Sequence, residues 1–348
     1  NASDADGNAL VYSISGGADA AKFDLNATSG VLTFKTAPDF EAPNSAAGNN
    51  AYVVEVTASD ATASVSQTIT VTVVEVQVVT VSAPAQIQNL AALQAFEQTI
   101  QTALGSSPWN SIKINGTLDL DGQVGQPNYG NLSDYQFLTK VVEITGTLRL
   151  HEWTPPSGSQ NLELFSNLES LGHLWIRSAH QSSGSWTSLS GLEKIKALDS
   201  VYLNGTASIT TFTGLHNLES ISGGLSVNDW HGFSNLTGLG SLASLGGLTL
   251  QQYGTKTLTS LAGMDSQVSV TGNVQIGTTQ TNYQNTNLVN VANSNITHIG
   301  GQLLFLGSPN VNDVSMLEWL KSLNSAASGD NIEWRGLTFT SRQAAMQS

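Results

Sequence analysis

A pair of apolar residues separated by one variable residue recurs along most of the chain, and this repeat constrains the fold more than any other feature. Each pair follows a turn containing Gly or polar residues and begins 23 to 30 residues after the one before. The pairs are Leu118/Leu120, Leu148/Leu150, Leu174/Ile176, Val201/Leu203, Leu225/Val227, Leu248/Leu250, Val274/Ile276 and Leu304/Leu306. Because such short strands bury their apolar side only when neighbouring units stack, the repeat predicts a β-solenoid.

The segments that flank the repeat predict closed ends. An amphipathic pattern over residues 87–104 stops at Gly105 and predicts a helix that caps the N-terminal end of the solenoid. Residues 314–320 and a strand at 332–334 are expected to close the other end. The sequence therefore predicts one capped solenoid domain over residues 81–348.

Residues 1–80 show a different pattern. Strand-like runs, such as the strongly alternating residues 66–73, are separated by Gly- and Asn-containing turns. Short strands at this spacing are typical of an all-β sandwich. Carboxylates stand at the predicted strand ends, where hard oxygen ligands can converge on Ca²⁺. Those carboxylates are Asp4, Asp6, Asp39, Glu41 and Asp60.

The order and spacing of these acids make the first domain resemble a cadherin-like repeat whose first strands are missing. Asp4 and Asp6 are similar to that family's Asp-x-Asp motif, Asp39 and Glu41 to its Asp-x-Glu motif, and Asp60 to its Ala-x-Asp motif. The resemblance implies that these residues bind Ca²⁺ at the junctions between repeats. The family's downstream Asp-rich linker is replaced here by residues 74–79. A second interpretation is that the acids are solvated turn residues.

Composition excludes several functions. The net charge is −14 with 12 Lys and Arg residues, which disfavours a nucleic-acid interface or an anionic membrane surface because both need clustered basic residues. There is no cysteine, hence no thiol nucleophile or thiolate metal site. No apolar run approaches the roughly 18 residues that span a bilayer. We also find no hydrolase or phosphate-binding motif and predict that the chain is not an enzyme.

Phrases within the repeat carry a second resemblance. Residues 167–176 and 217–227 resemble the receptor L-domain, a right-handed β-helix related to leucine-rich repeats. A cadherin-like repeat followed by an L-domain-like module, acidic and without cysteine, is similar to the ligand-binding region of large repeats-in-toxin adhesins of Gram-negative bacteria. That resemblance implies an extracellular module of the bacterial cell surface. It would be a monomeric part of a longer chain that uses Ca²⁺-stiffened repeats as a stalk and grips a host or biofilm ligand.

The outward-facing residues of the strands predict where a ligand binds. Side chains alternate across a strand, and equivalent positions on rungs about 4.8 Å apart form ladders. Aromatic rings cover the C–H face of a sugar, and planar amides and guanidinium groups pair with its hydroxyls. The predicted glycan-binding residues are Trp153, Trp175, Arg177, Tyr202, Asn204, Asn228, Trp230 and Tyr253.

Other interpretations of this face stay open. Its aromatic residues also suit a protein or peptide ligand, or a homophilic contact in a biofilm, because such residues dominate protein-binding hot spots. They are alternatively packed under loops, such as the one at residues 180–186. A minor alternative is a polysaccharide-acting enzyme in which Asp119 and Asp121 stand beside Arg149.

Overall fold

The computed structural model describes residues 7–60, 62–75, 77–105, 110–122, 132–151, 153, 161–177, 187–205, 209–228, 232–252, 257–280, 284–323, 332–334, 337–339 and 345–346. The chain divides into two compact units, Asn1–Gln77 and Val78–Ser348. Both consist mainly of strands, as predicted. Within the described ranges, no helix combines the length and apolarity needed to cross a membrane.

The first unit contains a three-stranded antiparallel sheet and a separate hairpin. Its strands are β1 (Val11–Gly16), β2 (Phe23–Leu25), β3 (Leu32–Phe34), β4 (Ala51–Ser59) and β5 (Ser64–Thr72), with a 3₁₀ turn at Ala20–Lys22. The sheet order is β1-β4-β5, and β2 pairs with β3. The two parts meet through buried Phe23, Tyr52 and Val54. The Phe34 ring lies 4.4 Å from that of Phe23 and 5.1 Å from that of Tyr52, between centroids.

One buried carboxylate joins the segments of this unit. Asp19 is 2% exposed, and its two oxygens accept hydrogen bonds from the backbone N–H groups of Ala46 at 2.6 Å and Val53 at 2.8 Å. Hydrogen bonds to a charged acceptor are the strong ones in proteins. Asp19 therefore fixes a loop and the middle of β4 to the turn after β1.

We expect Asp19→Ala to lower the free energy of unfolding of the first unit by about 3 kcal/mol, because two buried amide donors lose their partner. Asp24→Ala is the control. The Asp24 side chain is 68% exposed and lies 3.8 Å from Lys35, so its loss should cost less than about 1 kcal/mol. Amide hydrogen exchange across β4 measures both effects. Equal protection in the two variants would contradict the role assigned to Asp19.

The second unit carries the repeat. Its elements are β6 (Val78–Ser82), α1 (Leu90–Leu104), β7 (Ser111–Asn115), β8 (Leu118–Asp121), β9 (Val141–His151), β10 (Ser170–Arg177), β11 (Ala197–Leu198), β12 (Ser200–Asn204), β13 (Ser220–Asn228), β14 (Ser244–Gln251), β15 (Val268–Val270), β16 (Val274–Gly277), β17 (Ile296–Ile299), β18 (Leu303–Leu306), α2 (Asp313–Ser322), β19 (Ile332–Trp334) and β20 (Leu337–Phe339). Turns of 3₁₀ helix cover Leu132–Lys140 and Glu163–Phe165. Every strand pair is parallel except β19 with β20. The predicted β-solenoid of the right-handed type is confirmed.

Each full rung has two strand segments that meet at a corner. The register of the long strands β9, β10, β13 and β14 shifts or breaks between their two halves. We call the ladder of their C-terminal halves with β8, β12, β16, β18 and β19 sheet A. The ladder of their N-terminal halves with β6, β7, β11, β15 and β17 is sheet B. Apolar residues of both sheets and the buried face of α1 share one core.

Glycines form a column at the corner because successive rungs touch there through their backbones. A Cβ on Gly146 would lie 2.7 Å from the carbonyl oxygen of Gly116, and one on Gly172 would lie 2.7 Å from that of Gly146. Gly246 stands over Gly223 in the same way. These distances are too short for any side chain, so the stacking of rungs requires glycine at the corner.

The last rung differs by one residue from the prediction. We predicted that Leu304 and Leu306 point inward and Phe305 outward. Leu303 and Phe305 are instead 2% exposed, and the register aligns Leu304 with outward-facing Gln275. The Phe305 ring packs edge-on against Trp319 of α2, with centroids 5.6 Å apart. The inward-facing positions of β18 are shifted by one residue because the Phe305 ring fills the end of the core.

The predicted N-terminal helix forms, but it begins later than the pattern suggested. Asn89 caps α1, and its side-chain oxygen accepts a hydrogen bond from the Ala92 N–H at 2.9 Å. The helix ends at Gly105 with φ of 62°. Ile87 lies outside the helix and forms a parallel bridge with Leu120 of β8.

Candidate functional site

The outer face of sheet A brings most of the predicted ligand-binding residues into two neighbouring rows. The register aligns Trp175 with Arg149 on one side and Tyr202 on the other. Ser226, Thr249 and Gln275 continue this first row. The second row, two residues further along each strand, contains His151, Arg177, Asn204, Asn228 and Gln251.

Trp175 is the middle of a stack. The Arg149 guanidinium carbon lies 4.6 Å from the Trp175 ring centroid. The Tyr202 ring lies parallel to Trp175 at 11°, with centroids 5.6 Å apart. Because β9 and β12 flank β10 on opposite sides, both faces of Trp175 are covered, and only its edges remain for a ligand.

Tyr202 ends this stack. The next residue in the row is Ser226, whose side chain is too short to stack on a ring, and no other ring in the described part of the chain covers Tyr202. The row beyond continues with Thr249, which is also small. We call the surface over these two small residues, next to the Tyr202 ring in the row, the notch.

Amide groups line the notch. The Asn204 Nδ2 donates a hydrogen bond to the Tyr202 Oη at 2.8 Å, which fixes the orientation of the phenol. The Asn228 Nδ2 donates to the Ser226 Oγ at 3.0 Å. The Asn228 Oδ1 is buried and has no hydrogen-bond partner among the described residues. Arg177, in the same row, is exposed.

A buried acid anchors the other end of the stack. Asp119 is 5% exposed, and its Oδ2 pairs with the Arg149 Nη1 at 3.1 Å. Burial raises the pKa of Asp119, and the Arg149 guanidinium opposes this shift. Asp121 accepts a hydrogen bond from the Gln86 Nε2 at 2.7 Å and lies 3.5 Å from the His151 Nδ1. The acids considered for an enzyme cleft thus help to hold Arg149 and His151 beside Trp175.

The raised pKa of Asp119 predicts a pH dependence. A carboxyl group whose pKa is higher in the folded state binds its proton more tightly there. The free energy of unfolding therefore falls as pH rises through the window between the unfolded-state and folded-state pKa values. The window begins near the unfolded value of about 3.9. Asp119→Asn should remove this pH dependence. It amounts to at most about 1.4 kcal/mol of unfolding free energy for each unit by which the pKa of Asp119 differs between the folded and unfolded states. Denaturant unfolding of both proteins from about pH 4 to 7 tests this, and parallel curves would contradict it.

Trp153 is not part of the outer face, contrary to the prediction that it forms a rim. It is 2% exposed, and its Nε1 donates a hydrogen bond to the Tyr135 Oη at 3.4 Å. The two rings meet edge-on with centroids 5.5 Å apart. Burial raises the pKa of Tyr135 to about 12. Trp153 therefore belongs to the core of the solenoid and not to the predicted rim. Trp230 and Tyr253 lie outside the described residues.

Two carboxylates of the calcium prediction, Asp39 and Asp60, accept hydrogen bonds within turns. The Asp39 Oδ1 accepts a hydrogen bond from the Glu41 N–H at 2.9 Å. The Asp60 Oδ1 accepts from the N–H groups of Thr62 at 2.9 Å and Ala63 at 2.6 Å. These hydrogen bonds lower the pKa of Asp60, which stabilises its charged form. Oxygen ligands of this type suit Ca²⁺, yet the described residues include no group of three or more His, Asp or Glu able to hold a metal. Asp4 and Asp6 lie outside the described residues.

Sequence reasoning missed two features of this face. Gln86 and Gln88 flank Ile87, which pairs with β8, so both glutamines reach Asp121 at 2.7 and 3.5 Å. The polar–apolar alternation of Gln86, Ile87 and Gln88 is typical of a strand and could have indicated this pairing. It was overlooked because Ile87 also fits the helical pattern that follows. The second feature is a cavity of about 460 Å³ near the last rungs, which the shifted register of β18 concealed.

The outer face of sheet A therefore offers a ring face, amide groups, an exposed guanidinium and a notch that spans two rungs. These groups suit a hydroxylated ligand better than a strongly apolar one. No family model, curated protein or solved structure matches the chain.

Proposed function

We propose that this chain is a non-enzymatic adhesion module that binds a glycan on the outer face of sheet A. The observation that carries the proposal is the stack of Arg149, Trp175 and Tyr202, beyond which the row continues with the small residue Ser226. A row of surface residues that served only solubility would not need an aromatic stack anchored by a buried acid. We therefore assign the stack to ligand binding.

A sugar ring fits this arrangement by its shape and polarity. Its C–H face would continue the stack on Tyr202, since rungs about 4.8 Å apart space flat groups at contact distance. Asn204 and Asn228 stand beside that position and can exchange hydrogen bonds with hydroxyl groups. Ser226 and Thr249 are small enough to leave room below the ring. In this arrangement Trp175 supports Tyr202 from behind.

The proposal includes the wider setting that the sequence resemblances imply. We infer that the first unit is a cadherin-like repeat that binds Ca²⁺ at its junctions with neighbouring repeats, through Asp4, Asp6, Asp39, Glu41 and Asp60. The α1 helix acts as the N-terminal cap, since Leu93, Phe96, Ile100 and Leu104 are buried in the solenoid core. The whole would be the ligand-binding region of a bacterial repeats-in-toxin adhesin, displayed outside the cell as a monomeric module.

A glycan array probed with the full chain, in Ca²⁺ and in chelator, tests the proposed function. We expect a defined glycan family to bind, and Tyr202→Ala to weaken that binding by about 2 kcal/mol, roughly thirtyfold, through lost stacking and buried area. Trp175→Ala should weaken it less, because Trp175 acts through Tyr202. Tyr12→Ala is the control, as Tyr12 is a half-buried tyrosine of the first unit.

Each result separates the candidate functions. Loss in Tyr202→Ala with the thermal unfolding midpoint unchanged supports a glycan site at the notch. Glycan binding that survives Tyr202→Ala would place the site elsewhere. Absence of any glycan signal, together with binding to peptides, whole cells or a second copy of the chain, would favour the protein-binding or homophilic alternative.

A further inference from the structure

A cavity of about 460 Å³ lies where sheet A ends. This volume falls within the range of about 300–1,000 Å³ that is typical of small-molecule sites. Its lining includes Thr279, Gln284, Leu306, Ser308, Pro309 and Glu333. The cavity is distinct from the notch, because its described lining includes none of Tyr202, Ser226 and Thr249. Tyr202 and Leu306 lie on strands four rung spacings apart, about 19 Å.

Ser308 gives the cavity a polar group without a protein partner. The residue is 4% exposed, and its Oγ has no hydrogen-bond partner among the described residues. A buried hydroxyl left unpaired costs free energy, so most such groups in proteins are satisfied. The hydroxyl lies close to Gly277, since a Cβ built on that glycine would be 3.3 Å from the Ser308 Oγ and would overlap the Leu306 carbonyl oxygen. A ligand in the cavity would supply the missing partner.

The remaining lining determines the class of ligand. Leu306 and Pro309 form an apolar wall, and Thr279 and Gln284 add groups that pair with hydroxyls. Glu333 is the charged side chain of the lining. The register aligns it with outward-facing Leu304, which places it on the outer side of sheet A. Because Glu333 is the only charged residue among the described residues that line the cavity, this lining favours a cationic ligand over an anionic one.

We infer that this cavity is a second binding site, which takes a compact hydroxylated ring carrying an ammonium group, as an amino sugar does. The apolar wall covers the C–H face of the ring. Ser308, Thr279 and Gln284 pair with its hydroxyls, and Glu333 pairs with the ammonium group. The inference does not depend on the proposed function, because none of these residues belongs to the Tyr202 notch.

Isothermal titration calorimetry of the full chain with glucosamine, N-acetylglucosamine and glucose tests the inference, at a pH that keeps the amine protonated. We expect glucosamine to bind at least tenfold more tightly than the other two, because they lack the charge. Glu333→Gln should remove that preference, and Ser308→Ala should weaken binding several-fold. Tyr202→Ala should leave glucosamine binding unchanged. Thermal unfolding midpoints confirm that the variants fold.

Three results would overturn the inference. Equal affinity for glucosamine and N-acetylglucosamine would remove the role of the charge. Glucosamine binding that persists unchanged in both Glu333→Gln and Ser308→Ala, or that disappears in Tyr202→Ala, would place the ligand outside the cavity. No heat from glucosamine at millimolar concentrations would exclude this ligand class.

Discussion

Gly246→Ala is expected to destabilise the solenoid by more than about 3 kcal/mol, whereas Gly224→Ala should cost less than about 1 kcal/mol. A Cβ on Gly246 would overlap the carbonyl oxygen of Gly223 in the rung below. A Cβ on Gly224 would meet only the Gly247 carbonyl oxygen, at 3.6 Å, which is an ordinary contact. Both changes reduce the entropy of the unfolded chain equally, so their difference isolates the contact between rungs.

Denaturant unfolding followed by tryptophan fluorescence measures the stability of the second unit in both glycine variants, because all seven tryptophans lie in that unit. The Gly246→Ala midpoint should fall well below those of the parent protein and Gly224→Ala. Similar midpoints for the two variants would show that the corner can open to admit a side chain. The close backbone stacking of rungs would then not be a requirement of the fold.

Ser226→Tyr is expected to abolish glycan binding while leaving the fold intact. The new ring would continue the stack and occupy the space above Ser226 that we assign to a sugar. An outward-facing tyrosine on a strand of sheet A should be tolerated, since Tyr202 occupies the equivalent position one rung away. A loss of at least about 2 kcal/mol, roughly thirtyfold, is expected in the same array.

Ser244→Tyr is the matched control for this prediction. Ser244 is exposed on sheet B, in register with Ser220, so the same substitution is made in the same solenoid on the other ladder. Its glycan binding should equal that of the parent protein. Loss of binding in Ser244→Tyr with retention in Ser226→Tyr would assign the ligand to sheet B.

The interior of the solenoid was predictable because its signal is repeated. Pairs such as Leu225/Val227 and Leu248/Leu250 recur at nearly constant spacing, and the register aligns them directly. The prediction failed where the signal became ambiguous. Residues 303–306 are apolar without interruption, so alternation could not say which ones face the core. Phe305 faces the core because its ring packs against Trp319. This contact joins a strand to a helix beyond the repeat, so the repeat pattern could not reveal it.

The sequence predicted which strand residues share the outer face of sheet A, but not how their side chains contact each other. Alignment of the rungs placed Trp175 beside Tyr202, because equivalent positions of stacked strands are neighbours. It could not show that Arg149 and Tyr202 cover both faces of Trp175, since ring orientation depends on rotamers and on the partners of each side chain. Trp153 was misplaced because it lies beyond the end of β9, where alternation no longer determines the direction of a side chain.

The most direct test of the proposed function is a crystal structure of the full chain with the glycan that binds best in the array. We expect one sugar ring to lie against the Tyr202 ring, above Ser226 and Thr249, with hydroxyl groups within hydrogen-bond distance of Asn204 or Asn228. A glycan bound elsewhere on the solenoid, with the Tyr202 ring face still uncovered, would contradict the proposal.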